Sequence, residues 1–386
     1  MKHSEPYNII IVGGGPAGVA TALHLSQHAP HLMENTMLLE AKEYPRPKLC
    51  GGGITIHGEQ QLEKLGITID VPDVTVDHMV FRLGSRSFTA SNENAMRIIE
   101  RARFDAALAQ AAQDRGLCIH TGERLTDIAV DESGVTLTTD TDQYRAKVVV
   151  AADGANSTVR RKLQIRSTVG VARLLRVLTP HDAQHDSQER RDTAVFDFSP
   201  VLHGIQGYMW DFPCVIGGET CMNRGIFDSR IADQATKQPH GHFKQIFASS
   251  LQERDIDVDN VPLKGHPVRW FNPDAEFSRP RILLVGDAAG VDPLFAEGIS
   301  YAMEYGELAA NSISEAFAND DFAFQAYREQ ILHSRLGRLL MRRASVAKHL
   351  YQYRFPPFWA LLWQLAAVAP AKVQRGFAAT LALLPP

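Results

Sequence analysis

Four stretches of this chain carry residues whose types and spacing suit chemistry on a phosphorylated, sugar-bearing ligand. Gly13-x-Gly15-x-x-Gly18 follows the apolar run Tyr7 to Val12. In such a loop Gly13 permits a tight turn, Gly15 lets backbone approach a pyrophosphate, and Gly18 lets a helix pack on the strand. Glu40 ends the next apolar run, where a carboxylate takes ribose hydroxyls. Far downstream, Arg281-Ile-Leu-Leu-Val-Gly-Asp287 reads as a buried strand ending in an acid, and Glu297-Gly298-Ile299 opens a new helix. An Asp at a strand end can hold the hydroxyls of a sugar or ribitol, and a helix start aims free N–H groups and its positive dipole end at an anion. The fourth stretch is Lys48-Leu-Cys50-Gly51-Gly52-Gly53. Three glycines in succession cost chain entropy, which fits a backbone pressed against a flat ring.

The elements that must position these residues follow from periodicity. Tyr7 to Val12 is a buried parallel strand, Val19 to Gln27 a helix, and Met37 to Glu40 the next strand, which makes a βαβ unit. The spacing predicts a helix over Ile99 to Arg115, with Phe104, Leu108 and Ala111 on one face. Val135 to Val150 reads as a hairpin running into the buried strand Val148 to Asp153. Arg166 to Phe227 alternates in short runs with polar turns, as in an antiparallel sheet. Ile282 to Val285 returns to the buried-strand type, and Ile299 to Phe317 is helical.

Composition narrows the class. With 45% hydrophobic and 22% charged residues in 386, the chain can build a sizeable core. A net charge of −4 gives no reason to expect nucleic acid. The charge is uneven: from Ile331 to Pro386 there are eight Lys/Arg and no Asp or Glu. The four cysteines, Cys50, Cys118, Cys214 and Cys221, are sparse and irregularly spaced, which argues against a disulfide framework and for a reducing, cytoplasmic setting. No CxxC pair occurs, so no metal site is expected. His24, His28 and His31 have helical spacing, but Pro30 interrupts the face and no carboxylate completes it; they read as a solvated helix surface, and His181 and His185 as polar-loop residues.

The glycine fingerprint serves NAD and FAD alike. Three later segments point to FAD: Arg101-Ala-Arg-Phe104-Asp105, Ala151-Ala-Asp153-Gly154, and the Asp287 segment. Together they resemble the flavoprotein superfamily of the aromatic hydroxylases, flavin halogenases and geranylgeranyl reductases. Aromatic hydroxylases normally carry a His where Gly290 stands and GxGxN where Glu297-Gly-Ile-Ser300 stands, and the halogenase WxWxIP signature is absent. Lys48-Leu-Cys50-Gly-Gly-Gly53 and Gly207-Tyr208-Met-Trp210-Asp-Phe212-Pro213, close to a GYxWxFP pattern, are similar to the geranylgeranyl reductase family.

That resemblance implies an α/β fold: a Rossmann-type FAD-binding domain from residues 1–75, 96–165 and 270–330, an inserted antiparallel β-sheet substrate or cap domain from 76–95 and 166–269, and a C-terminal helical tail, 331–386. It implies FAD contacts at Gly13, Gly15, Ala17, Gly18, Glu40, Ala41, Lys48, Cys50, Gly51, Arg101, Leu125, Asp153, Asp287, Gly298 and Ile299. It places Tyr208, Trp210 and Phe212 in the substrate wall, and makes Cys50 and Tyr208 the catalytic candidates.

The reaction implied is reduction of a carbon–carbon double bond in an isoprenoid or similarly apolar substrate, with hydride from flavin and a proton from a positioned acid, water being a third candidate. An aromatic or polyketide monooxygenase and a flavin electron-carrier module are the alternatives. No second dinucleotide fingerprint is apparent, so the reductant is a transiently bound NADPH or a small electron carrier. The tail, basic from Arg335 to Lys348 and aromatic at Trp359 and Trp363, is too short and proline-broken to span a membrane. It suits either the membrane interface as a peripheral contact or a cap on the flavin domain.

Overall fold

A computed structural model describes residues 6–166, 170–181, 191–232, 242–257, 261–353, 356–370 and 373–374. The chain begins with β1 (Tyr7–Val12), α1 (Pro16–His28), the short α2 (Pro30–Met33) and β2 (Thr36–Leu39). A long loop leads to β3 (Gly53–Thr55), α3 (Ile56–Lys64), β4 (Asp73–Leu83) and β5 (Arg86–Ile99). Then come α4 (Arg101–Gln113), β6 (Cys118–His120), β7 (Leu125–Asp131), β8 (Gly134–Thr139), β9 (Gln143–Ala151) and α5 (Thr158–Lys162). The cap contributes β10 (Val171–Pro180), β11 (Thr193–Asp197), β12 (Gly207–Ile216), β13 (Glu219–Asp228), α6 (Phe243–Gln252) and β14 (Lys264–Arg269). The chain returns through β15 (Ser278–Arg279), β16 (Ile282–Leu284) and α7 (Ile299–Asn319), and closes with α8 (Tyr327–His333), α9 (Arg335–Gln352) and α10 (Pro356–Val368).

Two sheets result. The first runs β15-β16-β9-β1-β2-β6, with β7 and β8 attached beside β9. Its central pairs, β16/β9, β9/β1, β1/β2 and β2/β6, are all parallel. Parallel strands covered on both faces need continuous apolar runs, and Ile9, Ile10 and Ile11 meet that need with no exposed surface. The second sheet runs β14-β10-β13-β12-β11-β4-β5-β3. It is antiparallel as expected, except that β11 and β4 run parallel, and it takes in β3, from the glycine-rich loop.

Helices α1 and α7 pack side by side behind the first sheet. Gly306 makes this possible: a Cβ there would lie 2.7 Å from the Thr21 backbone nitrogen. The contact buries His24 at 2% exposure, so His24 is core rather than the solvated surface its spacing suggested. Burial pulls its pKa down to about 4, so the ring is neutral at physiological pH. His28 is exposed, as expected. In α4, Phe104 and Leu108 are buried as expected, but Ala112 rather than Ala111 completes the face. His185 and the far end of the tail lie outside the described residues.

The tail packs on the body: α9 lies on the flavin half, where Arg335 pairs with Glu304 of α7 and the Tyr351 hydroxyl donates to the Leu294 carbonyl, and α10 lies on the second sheet. Trp359 and Trp363 are both buried beside Phe198, and the Trp363 indole N–H donates to the Phe81 carbonyl at 3.3 Å. Arg343, one of the bases between Arg335 and Lys348, is 3% exposed and pairs with the buried Asp292 at 2.7 Å. Among the described residues no helix is long and apolar enough to cross a membrane.

The Arg343–Asp292 pair gives a stability prediction. Removing one partner of a buried pair leaves an uncompensated charge, which costs about 3–5 kcal/mol. Arg343→Ala is expected to lower the urea-unfolding free energy by that amount, while exposed Arg342→Ala stays within about 0.5 kcal/mol.

Candidate active site

A cavity of about 630 Å³ lies between the two sheets. The fingerprint turn, the start of α1 and the start of α7 form one end. At Gly13 the backbone takes φ +107° with the Ala152 carbonyl directly behind it, so only glycine fits. Helices α1 and α7 begin at Gly15 and Gly298 with no side-chain cap, and both starts line the cavity. Their free N–H groups suit an anionic ligand.

A buried ladder of charges fixes this end. Glu40 accepts from the Gly14 and Lys42 backbone N–H groups at 3.0 and 3.1 Å and pairs with Arg46 at 3.0 Å. Arg46 also donates to Asp105 at 3.1 Å, and Asp105 accepts twice from Arg101, at 2.8 and 3.0 Å. The Arg101–Asp105 rung is a helical i,i+4 pair. Arg46 and Asp105 were not among the expected site residues.

Three carboxylates face the middle of the cavity. Asp153 uses one oxygen to cap Thr158 and Val159 at 2.6 and 3.1 Å, and its Oδ1 is buried without a partner. Glu297 accepts from Thr55 at 3.2 Å through Oε1 and leaves Oε2 buried and unpartnered. Burial raises the pKa of both. Asp287 lines the same stretch beside Gly298. Opposite them, Lys48 Nζ donates to His266 Nε2 at 2.8 Å. Burial lowers the Lys48 pKa, while burial and the Lys48 charge pull His266 down to about 4, so His266 is the neutral acceptor.

The other end is aromatic. Tyr208, Trp210 and Phe212 alternate along β12 and share one face, joined there by Phe196, Phe227 and Phe295. The Tyr208 hydroxyl donates to the Phe295 carbonyl at 2.6 Å, and burial raises its pKa well above the ordinary phenol range. Phe295 belongs to a four-residue loop tied at every position. Asp292 is held by Arg343, Pro293 O accepts from Ser229 at 2.6 Å, and Leu294 O accepts from Tyr351 at 3.4 Å.

Cys50 and the glycines stand where the two ends meet. Gly52 takes φ +82°, and a Cβ there would strike the Ile99 carbonyl at 2.5 Å. The Cys50 sulfur accepts from the Gly52 N–H at 3.3 Å. Asn223, on β13, donates to the Cys50 and Gly51 carbonyls, both at 2.9 Å, and its Oδ1 accepts from Trp210 and Arg176, both at 3.2 Å. Asn223 therefore clamps the loop to the aromatic wall. Its only sequence signal is a polar side chain on a buried strand.

All the expected site residues line this one cavity except Gly18. Gly18 packs behind the turn, where a Cβ would lie 2.1 Å from the Gly13 carbonyl oxygen. FAD fits the residues present. Two open helix starts suit its pyrophosphate, Glu40 its ribose, the unpartnered acids its hydroxyl-bearing chain, and the bare glycine backbone its ring.

Comparison with known proteins agrees. The model of the FAD binding domain family matches residues 6–316. A digeranylgeranylglycerophospholipid reductase of Methanosphaera stadtmanae is 24% identical over 367 residues, 89% of this chain and 87% of that protein. A menaquinone reductase of Mycolicibacterium smegmatis is 26% identical over 337 residues, 81% of this chain and 78% of that protein. A geranylgeranyl bacteriochlorophyll reductase-like structure from Thermoplasma acidophilum superposes with TM-score 0.73 at 22% identity, covering 96% of this chain and 90% of that one. A p-nitrophenol 4-monooxygenase of Pseudomonas putida shares the fold at TM-score 0.69 and 18% identity, covering 96% of each chain.

The ladder predicts a binding defect. Glu40→Ala removes the acceptor that holds the fingerprint turn and leaves Arg46 with Asp105 as its carboxylate partner. Fluorescence titration of the apoprotein with FAD is expected to show a Kd at least about tenfold weaker, or ~1.4 kcal/mol; an unchanged Kd would remove Glu40 from the site.

Proposed function

From the premise that the chain belongs to the FAD binding domain family and is an FAD-dependent oxidoreductase, we propose that it is of the geranylgeranyl reductase type and saturates carbon–carbon double bonds of an isoprenoid-like substrate. The observation that carries this reading is the junction at Cys50. A polar groove suited to a dinucleotide passes directly into an apolar, aromatic wall, and Cys50-Gly-Gly-Gly stands between them.

FAD, held by the fingerprint turn, Glu40 and the start of α7, would supply the hydride once reduced. The protein's own residues do the rest. Met79, Met96, Phe196 and Phe212 line a chamber for an apolar chain and keep water from it. Asn223 fixes the Cys50 loop, so an alkene on the aromatic wall lies beside the thiol. Cys50 is the acid we assign to the second carbon. Tyr208 is the weaker candidate, because its hydroxyl proton already serves the Phe295 carbonyl. NADPH or a small electron carrier would act as reductant.

The substrate class suggests how the enzyme meets it. On α10, Trp359, Trp363 and Ala366 face the body, while Leu361, Leu365 and Val368 are 56%, 58% and 77% exposed. On α9, Arg338, Arg342 and Lys348 are exposed. An apolar helix face near a basic one suits an anionic membrane surface, which supports a cytoplasmic enzyme in peripheral contact with lipid.

Two experiments test these readings. Anaerobic incubation of the dithionite-reduced holoenzyme with a geranylgeranyl lipid is expected to add two hydrogens per double bond, read by mass spectrometry. Cys50→Ala is expected to lower turnover about 10²- to 10⁴-fold with FAD content unchanged. Oxygen-dependent hydroxylation of an aromatic instead would replace the proposal with a monooxygenase, and a reducible flavin that converts nothing would leave an electron carrier. In flotation, the protein is expected to rise with anionic liposomes at low salt, and Leu361→Asp/Leu365→Asp to abolish this; wild-type protein left at the bottom would refute the membrane contact.

A further inference from the structure

Cys214 on β12 and Cys221 on β13 stand opposite each other in the antiparallel register, with their sulfurs 3.1 Å apart. Both thiols are free. Strand alternation puts Cys214 on the face of Tyr208, Trp210 and Phe212, and Cys221 on the face of Asn223 and Phe227. The pair therefore extends the cavity wall one same-face step beyond Phe212 and Asn223, toward the exposed hairpin turn at Gly217 and Gly218.

The two sulfurs are not equivalent. Cys214 is 1% exposed and Cys221 9%, and Cys221 follows the exposed Thr220. The two sulfurs share a hydrogen bond that either thiol can donate. That bond, helped by the Arg176 guanidinium, lowers the Cys221 pKa, and the same bond with burial raises that of Cys214. An outer thiol inclined to the thiolate, with an inner thiol in contact behind it, divides the work as a nucleophilic and a resolving cysteine do. Nothing in the alkene chemistry above uses either sulfur.

We propose that Cys214 and Cys221 form a redox-active dithiol site that takes a low-molecular-weight disulfide as its oxidant. The Cys221 thiolate attacks one sulfur of the oxidant, forming a mixed disulfide and releasing one thiolate. Cys214 then gives up its proton and attacks Cys221 Sγ, which closes the intrachain disulfide and releases the second thiolate. Two protein thiols are oxidised and one external disulfide is reduced to two thiols. The new bond would lie two residues from Asn223, and so beside the clamp on the Cys50 loop.

Reduced full-length protein, freed of reductant, is incubated with excess oxidised glutathione, denatured and alkylated with N-ethylmaleimide. Two of the four cysteines are expected to escape alkylation, with the loss of two hydrogens found on the tryptic peptide that carries both Cys214 and Cys221. Dithiothreitol restores all four. In Cys214→Ser the reaction is expected to halt at a glutathione adduct on Cys221. Four alkylated cysteines after oxidation would overturn the proposal, as would a disulfide formed through Cys50 or Cys118. The peptide map of the unsubstituted protein decides this, so a poorly folding variant does not blur the result.

Discussion

The organising constraint of this molecule is a run of alternating charges kept out of water: Glu40, Arg46, Asp105 and Arg101. Each member is at most 9% exposed, and each is affordable only because its neighbours compensate it. The run links three separate pieces of chain. Glu40 belongs to the end of β2, Arg46 to the loop before Cys50, and Arg101 and Asp105 to α4. Holding these in line fixes the fingerprint turn through the Gly14 N–H and sets the point from which the Cys50 loop departs. Without it, the loop and the groove would have no common frame.

The second half of the site is organised by hydrogen bonds from single polar residues on otherwise apolar strands. Asn223 uses its amide in both directions, donating to the loop backbone and accepting from Trp210 and Arg176. Tyr208 spends its hydroxyl proton on a backbone carbonyl. Both rigidify an aromatic surface that would otherwise be held by shape alone.

The parts of the site read most readily in the sequence were local. Gly13 to Gly18, Glu40, Asp153 and Asp287 each sit at a strand end, where apolar runs and turn residues mark the position within a few residues. The aromatic wall was legible as strand alternation at Tyr208, Trp210 and Phe212. What stayed hidden depended on partners distant in sequence. Asn223 and His266 gain their meaning from the loop at residues 48–51, more than 170 residues away. His24 looked like surface because α7, which covers it, begins 275 residues later. The cysteines looked scattered because spacing along a chain carries no information on strand register, yet Cys214 and Cys221 are neighbours. Arg343 was one base among several until Asp292 appeared beneath it.

The loop from Asp292 to Phe295 has a consequence for assembly. Its four ties span 51, 57, 64 and 87 residues of sequence. Two come from the second sheet, already synthesised when the loop appears, but the other two come from α9. Contacts that close long stretches of chain form late. On a ribosome, the loop would reach its final shape only after α9 had emerged. That helix therefore appears after the groove and the aromatic wall it completes, and a nascent chain that already carries the fingerprint turn would still wait for α9 before the loop could back a substrate.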